Sequence, residues 1–149
     1  MKKIIVLCLV LALSLSVLGG CNTGNKSGTN DNDGTTTEVS YKDGTYTAEG
    51  DDFDDHGWKP VISIEVKDGK ITTVDYDEVN ENGDSKETNE EYNQNMKDKS
   101  GIGPAEAIPQ LEEALVEKQA VDSVDTVTGA TSTSNSFKAI ANKALETAK

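Results

Sequence analysis

Groups able to do chemistry crowd into one stretch of the chain, Asp125-Thr126-Val127-Thr128-Gly129-Ala130-Thr131-Ser132-Thr133. Five hydroxyls fall within nine residues there, and the amphipathic segment that follows reads as a helix. A hydroxyl on such a turn can carry an ester. A helix starting just beyond it offers unpaired backbone N–H groups and the positive end of its dipole to an anion. Gly129 and Ala130 keep the turn slim enough for a large group to approach the backbone. The same residues admit a plainer role, a Thr/Ser-rich turn whose helix is capped by Thr133 or Ser134. Other chemistries lack their residues. The chain has one histidine, His56, and no serine followed by a plausible base, so hydrolytic triads and zinc sites are poorly supported. No catalytic residue and no metal site is assigned.

Around this stretch the chain reads as a small α+β domain. Residues 41–50 alternate loosely (Tyr46, Ala48) as a first strand. Residues 60–66 and 70–79 carry Ile62, Ile64, Val66 and then Ile71, Val74, Tyr76, joined by Asp68-Gly69, the turn pair of a two-residue hairpin. Residues 88–100 suit a polar helix with Tyr92 and Met96 on one edge, ended by Gly101. Pro104 opens a second helix with Ile108, Leu111, Ala114 and Leu115 on one face and Glu112, Glu113 and Glu117 opposite. Residues 121–128 are β-branched and read as a short strand. Residues 134–148 set Phe137, Ile140, Ala141, Ala144 and Leu145 on a last apolar stripe. The expected architecture is a small antiparallel sheet packed with two or three helices. Beyond the N-terminal segment there are only three leucines, Leu111, Leu115 and Leu145, so the core is lean unless a bound planar group completes it.

The N-terminal segment is different material. Of the first 20 residues 14 are apolar, behind a positive start at Lys2 and Lys3, and the run is too short to cross a bilayer comfortably. It reads as an export signal over residues 1–20. It ends in Leu18-Gly19-Gly20-Cys21, which resembles a bacterial lipobox, with Cys21 as the lipidated residue. An ordinary secretory signal followed by chance by cysteine is the alternative. Lipidation would consume the one thiol left after Cys8 is removed, in a compartment where it has no disulfide partner. Residues 21–40 then form a flexible tether with Val39 as its one apolar residue after Cys21, its ends about 24 Å apart as a coil. Residues 41–149 form the folded domain.

Removing two lysines with the signal leaves 12 basic and 27 acidic residues, a formal charge of −15 against −13 for the whole chain. A sequence-independent grip on nucleic acid or anionic headgroups is thereby disfavoured, and a nucleic-acid partner is not expected. The acidic run Asp51, Asp52, Asp54, Asp55 reads as solvated charge, with cation collection as the alternative. Two calcium-loop near misses fail at their ligand positions: Thr29 and Ser40 stand at positions 1 and 12 of one, and Asn89 closes the other, which begins at Glu78.

The pattern Asp125, two residues, Thr128, Gly129, Ala130, Thr131 resembles the flavinylation motif of FMN-binding domains, as in the flavin subunits of sodium-pumping NADH:quinone oxidoreductases and Rnf complexes. Lys42-Asp43-Gly44-Thr45-Tyr46, His56-Gly57-Trp58, Ile64 through Ile71 and Gly101-Ile102-Gly103-Pro104-Ala105-Glu106 are similar to the small FMN-binding lipoproteins of Gram-positive bacteria, over residues 41–149. This resemblance implies one FMN held by a phosphoester to Thr131, made by a flavin transferase, with Asp125, Thr128, Gly129, Ala130 and Ser132 around it. It implies a lipid-anchored extracytoplasmic electron carrier taking electrons from a membrane quinol pool to acceptors such as ferric iron. Trp58 is then a candidate to lie against the isoalloxazine, Tyr92 and Met96 to wall the same cavity, and His56 to hydrogen-bond the ring, although each suits ordinary packing or solvation as well. Some relatives carry two such domains and this chain one, so transfer between flavins within the chain is not implied. The alternative function is a non-redox surface lipoprotein that binds cations or a cell-wall component.

Overall fold

The structure, a computed structural model, describes residues 40–149. The export signal, Cys21 and nearly all of the tether lie outside the described residues. Three strands, β1 (Gly44–Glu49), β2 (Lys59–Lys67) and β3 (Lys70–Val79), form an antiparallel sheet in the order β1-β2-β3. The helices α1 (Glu90–Ser100), α2 (Pro104–Lys118) and α3 (Thr131–Leu145) follow. The α+β class is as the sequence indicates. None of the described helices is long and apolar enough to cross a membrane.

Asp68 (φ 53°) and Gly69 (φ 75°) both occupy the left-handed region, the geometry that lets an Asp-Gly pair close a hairpin in keeping with strand twist. The register slips once, at Glu65/Val66: Glu65 faces Thr73 while Val66 faces Ile71, leaving Thr72 as the extra residue of a bulge. This explains the irregular spacing of Ile71, Val74 and Tyr76, all buried on the face that α2 and α3 cover. Ile108, Leu111 and Leu115 from α2 and Phe137, Ile140, Ala141 and Leu145 from α3 complete that core. The rings of Tyr76 and Phe137 meet edge to face at 5.1 Å, and all three leucines are buried.

The structure corrects three expectations. The β-branched run after α2 is not a strand. It begins as a 3-10 turn, Val121–Ser123, and drops Val121 and Val124 into the core. A fourth strand finds no free edge beside β3, because side chains of α2 and its C-cap take the outward N–H groups. Tyr76 N–H donates to Glu112 Oε1 (2.6 Å) and Ile71 N–H to Gln119 Oε1 (2.7 Å), while Gln119 Nε2 donates back to the Ile71 carbonyl (2.8 Å). Glu112 therefore does not stand opposite the core with Glu113 and Glu117; it is half-buried against the sheet edge. Finally, α3 begins at Thr131, three residues before the start that its apolar stripe suggests.

Burial pushes the Glu112 carboxyl up to about 7, aided by Glu87, Asp75 and Asp77 and opposed by the Tyr76 N–H. Because the folded state then binds a proton that the unfolded chain has released, stability conferred by the protonated carboxyl is full below about 4.5 and is lost as pH rises through about 7. Relative to Glu112→Gln, which keeps the acceptor without the charge, the protein should lose about 1 kcal/mol between pH 4.5 and 8 after allowance for solvent screening. Thermal melts of both proteins across that range check the sign.

Candidate functional site

A cleft of about 350 Å³ opens where four segments converge: Asp54 and His56 between β1 and β2, Lys86 between β3 and α1, Tyr92 and Met96 on α1 with Ile102, Gly103 and Pro104 after it, and Gly129 through Thr133 at the start of α3. Its floor toward α3 is set by a turn with no room to spare. Gly129 has φ +85°, and a Cβ there would stand 2.5 Å from the Ser100 carbonyl oxygen and 3.0 Å from Ile102 Cγ2. Ser134, fully buried, accepts from Val127 N–H (3.1 Å) and donates to the Ala130 carbonyl (2.8 Å).

That use of Ser134 removes it as a helix cap, and Thr133 does not serve either. The N-cap is Ala130, and no side chain caps α3. The first-turn N–H groups of Thr131, Ser132 and Thr133 thus stand at the cleft without the side-chain acceptor that Asn89 Oδ1 supplies to Tyr92 N–H on α1 (2.9 Å). The exposed Thr131 is the first residue of that turn.

The rest of the cleft is held in place largely by residues the sequence did not single out, Asn93, Lys86 and Glu78. Asn93 Nδ2 donates to the carbonyls of Glu87 (2.7 Å), Asn89 (2.9 Å) and Lys86 (3.2 Å), and Asn93 Oδ1 accepts from Ala105 N–H (2.7 Å). A Cβ on Gly103 would meet the same Oδ1 at 2.6 Å, so glycine is required where α2 abuts α1. Lys86, 4% exposed, lines the cleft and pairs with Glu78, 3% exposed, whose other oxygen accepts from Tyr76 Oη at 2.8 Å. The alternation Val74, Tyr76, Glu78 was the signal available in the sequence: an inward carboxylate requires a buried partner. Asp54 Oδ1 accepts from the N–H groups of His56 and Trp58, each at 2.9 Å, and so shapes the loop that brings Asp54 and His56 to the rim.

Of the residues selected from the sequence, Gly129, Ala130, Thr131, Ser132, Tyr92 and Met96 line this cleft. Trp58 does not. It is buried, edge to face with Tyr92 at 5.3 Å between ring centroids. Thr128 and Asp125 also lie elsewhere, on a more open hollow of about 450 Å³, because the chain reverses at Gly129. Asp125 there accepts from Lys118 Nζ at 2.6 Å, which holds its carboxyl below its ordinary range.

The family model described as "FMN-binding domain" matches residues 57–146, which include every segment of the cleft except Asp54 and His56. The chain belongs to the FMN-binding domain family. It is 39% identical over 110 residues to a 15 kDa lipoprotein of Treponema pallidum (strain Nichols), a match covering 74% of this chain and 78% of that one. A crystal structure of a Clostridium perfringens protein superposes with TM-score 0.70 at 53% identity, covering 72% of this chain and 88% of the other.

The cleft fits FMN on its own features. The uncapped first turn of α3 suits the phosphate, Tyr92, Met96 and Ile102 offer apolar surface to a ring, and among the described residues Lys86 is the only lysine or arginine in the lining. Because the Gly129 turn sets where that first turn sits, Gly129→Ala should cost about 2 kcal/mol of stability through steric and left-handed strain. It should also weaken FMN loading; a melt and the flavin absorbance of purified protein test both.

Proposed function

We propose that this FMN-binding domain carries one FMN covalently, as a phosphoester to the Thr131 hydroxyl made by a flavin transferase, and acts as an electron carrier. The observation that carries this reading is the open start of α3: Thr131 stands at its first position, beside backbone N–H groups that no side chain caps. Those N–H groups and the helix dipole hold a phosphodiester anion in an otherwise acidic domain. A chain with 27 acidic against 14 basic residues should retain free FMN poorly, and an ester bond keeps the site filled whatever the affinity. Bound FMN supplies reversible electron and hydride chemistry, while the protein supplies position, exposure and electrostatics.

The likeness to a lipoprotein, together with Leu18-Gly19-Gly20-Cys21, supports lipidation at Cys21 and anchoring at the extracytoplasmic face of the cell membrane. From there the flavin would relay electrons from a membrane quinol-linked donor to small extracellular acceptors such as ferric iron.

Coexpression with a flavin transferase followed by intact-mass measurement tests the linkage. Wild-type protein should gain a single FMN-derived adduct and give a fluorescent band on a denaturing gel, and Thr131→Ala should show neither. An adduct retained in the variant excludes Thr131 as the attachment site.

A further inference from the structure

The buried pair of Glu78 and Lys86 is poorly explained by stability. Replacing such a pair by apolar side chains of similar volume is often neutral or stabilising. The geometry gives it a direction. Glu78 is enclosed behind the cleft, one oxygen taken by Tyr76 Oη (2.8 Å) and the other by Lys86 Nζ, whereas Lys86 itself lines the cleft. The ammonium lies 5.0 Å from the ring centroid of Tyr92 and 5.4 Å from that of Trp58, and among the described residues it donates a hydrogen bond to Glu78 alone. Lys86 is thus the member of the pair that reaches the cavity lining, and Glu78 is not part of it. Burial and the neighbouring Glu78 raise the Tyr76 phenol far above its ordinary range, so it remains a donor to the carboxylate.

We infer that Lys86 sets the reduction potential of the bound flavin, with Glu78 and Tyr76 as the residues that position its ammonium. This rests on the isoalloxazine occupying the cleft. Reduction by two electrons with uptake of one proton leaves the ring system with one negative charge. A fixed cation in a low-dielectric wall stabilises that charge, against the downward pull of the acidic domain as a whole.

The test is a spectroelectrochemical titration of the flavin-loaded protein, with dithionite supplying the two electrons, water the proton, and sulfite as the oxidised product. Lys86→Met should lower the equilibrium constant for reduction at least tenfold, a fall of about 30 mV for a two-electron couple. Lys86→Arg should stay within threefold of wild type, and Glu78→Gln should shift the potential upward. The double variant Glu78→Gln/Lys86→Met leaves no buried charge unpaired, and serves if the single variant does not fold; its potential should also fall below wild type. Displacement of Lys86→Met and Glu78→Gln in the same direction, or an unchanged potential in both Lys86→Met and the double variant, overturns the assignment. If the wild type loads flavin and its potential does not respond to these substitutions, this inference alone is refuted; a wild type that takes up no flavin refutes the occupancy of the cleft and the inference with it.

Discussion

The cleft depends on an ion pair that the sheet drives into the protein. Strand β3 presents Val74, Tyr76 and Glu78 to the same face, so the inward alternation that builds the core ends in a carboxylate, and a carboxylate at 3% exposure requires a partner. Lys86 supplies it from the following loop. That contact returns the chain to the sheet, where Lys86 N–H also donates to the Glu78 carbonyl (2.8 Å), and it fixes the point from which α1 departs. Asn93 then binds the carbonyls of Lys86 and Glu87 and receives Ala105 N–H, so α1, the α2 start and the loop form one wall. Trp58 and Tyr92 pack edge to face beneath the ammonium.

The facing side is organised by the Gly129 turn. It lies against the Ser100 carbonyl with no space for a Cβ, and Ser134 spends its hydroxyl on Val127 and Ala130. The consequence is a helix whose first turn is open at a cavity. The two walls are complementary: a diffuse positive end from backbone N–H groups on one and a localised ammonium on the other. In an acidic domain these are the two sources of positive charge at the cleft, set against Glu78 behind Lys86 and Asp54 at the rim.

Much of the scaffold was legible because periodicity and turn chemistry agree. The Asp68-Gly69 hairpin, the stripes of α2 and α3, and Gly101 and Pro104 as helix punctuation all stand where the residues indicate. Even the broken spacing from Ile71 to Val74 was visible, and the Thr72 bulge accounts for it. What failed depended on long-range partners. The β-branched residues 121–128 have strand propensity, but Glu112 and Gln119 already occupy the sheet edge beside β3. The start of α3 is displaced from its apparent cap because Ser134 bonds backward. Of the hydroxyl-rich motif, Thr131, Ser132 and Thr133 reach the cleft and Thr128 does not, a division made by one reversal at Gly129 that local sequence cannot express. Lys86 and Asn93 are ordinary polar residues in sequence, and only the fold brings Lys86 to the cleft and makes Asn93 the tie between α1, the preceding loop and the start of α2.

Thr126, Thr128, Thr131, Ser132 and Thr133 all offer a hydroxyl within eight residues, and only the last three lie at the cleft. Proteolysis of the flavin-loaded protein and tandem fragmentation of the peptide spanning residues 125–138 would locate the flavin phosphate among them. The phosphate should be found on Thr131, the first residue of α3. A phosphate on Thr126 or Thr128, on the outer side of the Gly129 turn, would contradict it.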